Sequence, residues 1–208
     1  MKGRRDKILD VAVALAEEGG YDNVRQRDVA ALAGVALGTL YKSFRSKEDI
    51  LSAALEREAE LLERRMEAKP AAGSTSVERI ESFFGIVTRG LCRKPKYARA
   101  VLRAMASGEP EVAGKVAAYQ ERITGLVIAA MRGVGRLRYA DAKPAPPTRK
   151  EATLAFALQR FWFASLVGWS AGLISVNDVV DEVAKMGAIL DRGIEEERAS
   201  RHASERSR

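Results

Sequence analysis

Cysteine and histidine are almost missing from this chain: Cys92 and His202 each stand alone. One thiol cannot close an intramolecular disulfide, and nothing points to an oxidising compartment. One Cys and one His also cannot supply the ligand set of a zinc site. His202 follows the run Glu195-Glu196-Glu197 in a polar C-terminal stretch, which leaves histidine-based catalysis without its central residue. Aromatic residues amount to 6 %, and convincing strand alternation is absent. No apolar run approaches the ~20 residues that span a bilayer, so no membrane partner is expected. The opening MKGRRDK passes directly into an amphipathic pattern, without a signal-peptide apolar core. The three glutamates have no pocket pattern around them, and Gly133-Val134-Gly135 lacks the strand and third glycine of a dinucleotide loop. The chain therefore reads as soluble, cytoplasmic and not an enzyme, with no catalytic residue, metal or cofactor.

What is present is helix. Of 208 residues, 47 % are apolar and 30 % charged, with a net charge of +7. That length buries a hydrophobic core without covalent staples. Three- and four-residue spacing of apolar side chains predicts helices over about 4–18, 26–33, 37–43 and 47–68. Gly19-Gly20 should end the first, Gly34-Val35 separate the second and third, and Ser46 cap the fourth, with Glu48 and Asp49 in its first turn. KPAAGSTS at 69–76 reads as a linker. Further helices are expected over 77–94, closed by Pro95, and over 96–107, 111–134 and 149–168. A last one, capped by Asn177 or Asp178, should run to about 197. Residues 135–147, with Pro144, Pro146 and Pro147, read as an exposed loop, and SRHASERSR as a frayed tail. The expected fold is all-α: an N-terminal three-helix helix-turn-helix domain over 1–60, then a C-terminal helical-bundle ligand-binding and dimerisation domain over 77–198.

The specific signal lies at about 26–43, where two short helices flank Gly34. A helix as short as 37–43 cannot stand alone in water, so a scaffold must present it, and a DNA major groove accommodates one. Small Ala30 and Ala33 permit close approach, while Val35 and Leu40 can fill the space between helices. Over Val24–Leu51, VRQRDVAALAGVALGTLYKSFRSKEDIL resembles the N-terminal domain of the TetR family of transcriptional repressors. Agreement falls at Arg27, Asp28, Ala30, Ala33, Gly34, Val35, Gly38, Thr39, Leu40, Tyr41, Phe44, Ser46, Lys47, Glu48 and Leu51. Arg25 and Gln26 stand where the family often has a Ser or Thr cap, Ala36 where a hydroxyl often opens the recognition helix, and Ser43 where Tyr or His is common.

The resemblance implies double-stranded DNA, as a palindromic operator, for a partner. It places Arg25, Gln26, Leu37, Gly38, Thr39, Tyr41, Lys42 and Lys47 at that interface. Tyr41 and Lys47 would contact phosphates, Lys42 could read guanine, and the Thr39 methyl could meet thymine. The plainer alternative makes Thr39 and Tyr41 packing residues and Lys42 solvated charge. Lys2, Arg4, Arg5 and Lys7 form either an arm along the DNA backbone or a solvated tail.

The helix over 149–168 is apolar on two sides. One stripe holds Leu154, Leu158, Phe161, Ser165 and Gly168; the other holds Phe156, Arg160, Phe163 and Val167. Two buried sides need two partners, the chain's own core and a second copy. By resemblance, the last two helices form a homodimer interface, with Leu154, Leu158, Phe161, Ser165, Val179, Val183, Met186 and Leu190 as its expected residues. Phe83, Phe84, Val87, Leu91, Met105, Tyr119, Ile123, Val127, Met131, Phe156 and Phe163 are expected to line a site for a small apolar effector. Arg160 reads either as the holder of that effector's carboxylate or phosphate, or as an ion-pair partner. VALGTLYKSF and FWFASLVGWSAG are similar to actinobacterial repressors of sterol and fatty-acid catabolism, which implies a steroid, fatty acid or acyl-CoA effector that releases the repressor from DNA. The alternative function is a basic helical protein that binds DNA or surfaces without sequence preference and without an effector.

Overall fold

The computed structural model describes residues 3–135 and 146–205, with side chains described up to residue 192. Lys2, the loop over 136–145, His202 and the last residues of the tail therefore lie outside the described residues or side chains. The described residues form nine α-helices and one 3₁₀ turn, with no strand. In order these are α1 (Arg4–Gly19), the 3₁₀ turn Tyr21–Asn23, α2 (Gln26–Ala33), α3 (Leu37–Ser43), α4 (Lys47–Ala68), α5 (Ser76–Cys92), α6 (Pro95–Met105), α7 (Pro110–Met131), α8 (Arg149–Ser170) and α9 (Val176–Glu205). The all-α expectation holds, and α2, α3 and α4 fall where the periodicity puts them.

Local chemistry sets most boundaries. Gly20, at φ +73°, ends α1 and donates its N–H to the Ala16 carbonyl at 2.9 Å. Ser46 caps α4, its Oγ accepting from the Asp49 N–H at 3.1 Å. Several ends differ from expectation, and α9 continues to Glu205, past the expected end near 197 and into the stretch expected to fray. Pro95 opens α6 at its first position rather than closing α5, since a missing N–H costs nothing there. α7 stops at Met131, three residues early. At α9 the reciprocal cap belongs to Ser175: its Oγ accepts from the Asp178 N–H at 3.2 Å, while Asp178 Oδ2 accepts from the Ser175 N–H at 2.7 Å. Asp178 is thus the capping partner three residues on, rather than the cap itself.

The chain divides into two compact units: Met1–Leu62 with Gly90–Arg122, and Glu63–Arg89 with Ile123–Arg208. In the first, α1 packs on α2 and α6, and Ile8, Leu9, Ala12, Ala16, Val24, Val29, Leu40, Phe44, Ile50 and Leu51 are buried. The basic start of α6 meets the acidic end of α1. Lys94 pairs with Glu17, and Lys96 Nζ donates to the Glu18 carbonyl at 2.6 Å, at a helix C-terminus that favours cations.

In the second unit α8 and α9 pack together, with α5 beside them. Gly187 of α9 has room for a Cβ only at 3.4 Å from Ile80 and 3.8 Å from Leu158, so its lack of a side chain lets three helices approach. Arg79 of α5 closes the end of α7, donating to the carbonyls of Ala130 at 2.9 Å and Met131 at 2.6 Å. Thr148 caps α8 in a full capping box with Glu151.

Arg132 clasps that same Glu151 twice, Nε to Oε1 and Nη2 to Oε2, both at 2.7 Å. The guanidinium, outweighing burial and helped by Thr148, holds the Glu151 carboxyl down at about 2. A depressed folded-state value stabilises above the ordinary carboxylate range and is lost as pH falls towards the folded value. E151Q should therefore cost about 1–3 kcal/mol at neutral pH. Thermal melting across pH should show that deficit shrinking between about 4.5 and about 2. A deficit independent of pH would mean that the charge is not what stabilises this helix start.

Candidate DNA-binding and effector sites

The turn between α2 and α3 needs a left-handed residue. Gly34 supplies it at φ 67° and ψ 37°, its N–H donating back to the last turn of α2. Leu40 and Phe44, both fully buried, fasten α3 and its exit to the unit's core. Leu40 is the only buried residue of α3. Tyr41 is 49 % exposed, Lys42 and Gly38 are exposed, and no atom lies within 4 Å of where a Cβ on Gly38 would sit. Leu37 and Thr39 are half-buried. Of α3's seven residues, one therefore anchors and the rest of its surface is presented.

Arg25 is exposed at the start of α2 and makes no capping bond. Gln26 is half-buried, its Nε2 donating to the Phe44 carbonyl at 3.4 Å. Ala36, without a hydroxyl, leaves the N-terminus of α3 without a side-chain cap. Arg27, Ser43 and Arg45, close by in sequence, are exposed as well. Alternating small and cationic residues gave no basis for choosing among them. Arg4, Arg5 and Lys7 belong to the first turn and a half of α1, and the Arg5 guanidinium lies 5.1 Å from the Phe44 ring centroid.

Every residue of α4's first turn is engaged. Asp49 is buried, accepts from the Arg45 N–H at 3.0 Å, and pairs with Lys115 of α7. Glu48 accepts from the Tyr21 hydroxyl. Burial, and after it Glu48, pushes the Tyr21 phenol up to about 12. The Lys47 ammonium sits 3.8 Å from the Tyr21 ring centroid and 3.8 Å from Asp22. Arg103 of α6 reaches the same two groups, at 4.0 Å from the ring centroid and 3.3 Å from Asp22.

The residues expected to hold an effector are distributed between the units. Leu91, Met105 and Tyr119 belong to the first. There Tyr119 is buried, and burial followed by the Glu58 charge raises its phenol, as it does that of Tyr97. Phe83, Phe84, Val87, Ile123, Val127 and Met131 belong to the second unit and are all buried. Phe83 and Phe84 meet edge to face at 5.3 Å, and Phe84 lies 5.7 Å from Trp162. Trp162 is itself buried and donates its indole N–H to Thr88 Oγ1 at 2.9 Å. It was not picked out from sequence, although its size argued for an inward position.

The two stripes of α8 differ in burial within the single chain. Leu154, Leu158, Ser165, Val179 and Val183, expected at a dimer interface, are buried within the chain, with Phe161, Met186 and Leu190 half-buried. Ser165 Oγ is already committed to Glu182 Oε2 at 3.0 Å. Side chains enclosed by their own helices leave little surface for a second copy. The outward stripe is the one assigned to the effector: Phe156 is 51 % and Val167 45 % exposed, Arg160 is exposed, and Phe163 is half-buried. The Arg160 guanidinium lies over the Phe156 ring at 4.0 Å, and both residues are exposed whereas Phe83 and Phe84 are buried. Both stripes are apolar, and period alone does not tell inward from outward.

Among the described residues no helix is long and apolar enough to cross a membrane, and no cluster of metal-ligating side chains occurs. A helix-turn-helix that presents the outer face of its second helix is the arrangement of a DNA-binding regulator. The family model of bacterial regulatory proteins of the tetR family matches residues 8–54, and that of the tetracyclin repressor-like C-terminal domain matches residues 73–186. The chain is 32 % identical to the HTH-type transcriptional repressor KstR of Mycolicibacterium smegmatis over 176 residues, 85 % of this chain and 81 % of that one. Its fold is similar to that of a TetR transcriptional regulator from Rhodococcus sp. RHA1, with a TM-score of 0.76 at 23 % identity, covering 90 % and 94 % of the two chains. It is also similar to that of Thermus thermophilus FadR in complex with lauroyl-CoA, with a TM-score of 0.67 at 18 % identity over 88 % and 93 %. The chain belongs to the TetR family of bacterial regulatory proteins and is a DNA-binding transcriptional repressor.

Proposed function

We propose that the protein works as a cytoplasmic homodimer on a palindromic operator and leaves it when a small apolar effector binds, with no catalysis of its own. The observation that carries this reading is α3, with Leu40 its one fully buried residue and open along Gly38, Tyr41 and Lys42. Residues 1–60 provide DNA binding and 77–198 provide effector binding and dimerisation. Leu37, Gly38, Thr39 and Lys42 face bases, while Arg25, Gln26, Tyr41 and Lys47 take up backbone positions. A twofold axis sets two copies of α3 in successive major grooves, ~34 Å apart.

The outward α8 stripe, with Ile189 of α9 56 % exposed, supplies the self-contact. The buried set Phe83, Phe84, Val87, Ile123, Val127 and Met131 supplies an apolar lining suited to a steroid or the chain of a fatty acid or its CoA thioester. Similarity to sterol- and fatty-acid-catabolism repressors supports that class. The effector acts by population shift, in proportion to its preference for the state that no longer fits the operator.

Fluorescence anisotropy tests the reading. The purified protein is titrated onto the DNA upstream of its own gene and onto a scrambled duplex, across a salt series. Saturation of the native duplex at a multiple of two chains, with release by a steroid or long-chain acyl-CoA, is the expected result. Equal, steeply salt-dependent binding to both duplexes contradicts it.

A further inference from the structure

We infer that Arg103 is a positioning residue for DNA binding: by occupying Asp22 it keeps Lys47 available to a DNA phosphate. The inference rests on the proposed phosphate contact of Lys47 and adds a group 56 positions away that governs it.

Three observations carry it. Asp22 and the Tyr21 ring are a shared anchorage for two cations, Lys47 at the start of α4 and Arg103 on α6. Arg103 is the closer partner of the carboxylate, at 3.3 Å against 3.8 Å for Lys47, and each cation meets a different oxygen. The remaining acid of this corner, Glu48, already accepts from the Tyr21 hydroxyl.

One carboxylate carries one negative charge, so two ammonium-type groups beside it leave a surplus of positive charge. Arg103, with a planar fork of donors, is the better match for a carboxylate, and Lys47 is a point charge on a flexible stem that can meet either a carboxylate or a phosphate. An exposed pair of this kind is weak and exchanges partners at little cost. A phosphate arriving at the start of α4 therefore meets a lysine whose competing anion is largely neutralised. Without Arg103, Asp22 turns to Lys47, and the phosphate must compete with a carboxylate for it.

The test reads the slope of log K against log salt, because each phosphate contact contributes about 0.9 to it on duplex DNA. Operator binding is measured for wild type, K47Q, R103Q, K47Q/R103Q and D22N/R103Q, with thermal melting of each as a check on folding. K47Q should lower the slope by about 0.9 per chain. R103Q should weaken binding several-fold and lower the slope towards the K47Q value, the double variant K47Q/R103Q should match K47Q, and D22N/R103Q should recover the wild-type slope.

A merely structural role for Arg103 would change the melting temperature or the active fraction and leave the slope unaltered. An unchanged slope in R103Q overturns the inference while sparing the Lys47 contact. An additive fall in K47Q/R103Q also overturns it, since Arg103 would then act through its own charge. An unchanged slope in K47Q removes the phosphate contact and the inference together.

Discussion

Replacing Phe156 and Val167 together by glutamate is expected to convert the protein to a monomer and to cost about 10²–10⁴-fold in operator affinity. The two residues lie on one face of α8 at the spacing Phe156, Arg160, Phe163, Val167, and both are about half exposed in the single chain. An outward apolar face of this size on a soluble helix calls for a cover. In the proposed dimer a twofold axis brings the patch onto its own copy, so each substitution is counted twice and four carboxylates meet in a desolvated seam. Losing the dimer removes the second half-site from the binding event, and linked sites of this kind gain about 10²–10⁴ in affinity. Light scattering after size exclusion gives the oligomeric state and anisotropy the affinity. Because neither side chain is part of the chain's own core, the circular dichroism spectrum should stay helical. A variant that remains dimeric would move the self-contact off this face.

The second large effect is on stability. Trp162→Ala should destabilise the protein by about 3–5 kcal/mol, the range for emptying a large aromatic site in a packed core. The indole is 2 % exposed, abuts Phe84, and gives its N–H to Thr88 Oγ1, itself fully buried. Its removal therefore opens a void and strands a hydroxyl. Trp162→Phe separates the two effects: it fills most of the volume, leaves Thr88 without its donor, and should cost about 1–2 kcal/mol. Denaturant unfolding at constant slope is the measurement. A loss below about 1 kcal/mol for Trp162→Ala would mean that the α5–α8 contact is not a core contact.

How legible all this is from residues alone depends on how local the cause is. Gly20, Gly34 and Ser46 mark their boundaries because each acts on the backbone beside it, through a positive φ or a hydroxyl. The same logic misplaces the cap of α9, where Asn177 and Asp178 are good capping types but Ser175 is the residue in position. Pro95 is a start where the pattern around it suggests a stop, because proline suits both sides of a helix break.

The recognition helix was legible because a seven-residue helix carries few apolar residues, and Leu40 is the one that fits inside. The stripes of α8 were legible as stripes, but their direction was not. Leu154 and Phe156 differ little in hydrophobicity, and only the two tryptophans, Trp162 and Trp169, both buried, favour the inward assignment. The corner formed by Tyr21, Asp22, Lys47 and Arg103 had no sequence signal at all. It joins residues 81 positions apart through exposed charges, and nothing in periodicity or capping pairs them.

The claim on which the rest depends is sequence-specific recognition by paired copies of α3. Genomic fragments captured by the purified protein at physiological salt, then sequenced, test it most directly. Recognition of this kind yields a small set of fragments sharing one inverted repeat, with half-site centres about 10 base pairs or a multiple of that apart. The same repeat should be lost when Lys42, exposed on α3, is replaced by alanine. Enrichment that follows fragment length alone, with no shared repeat, would contradict it and leave the net charge of +7 as the whole basis of binding.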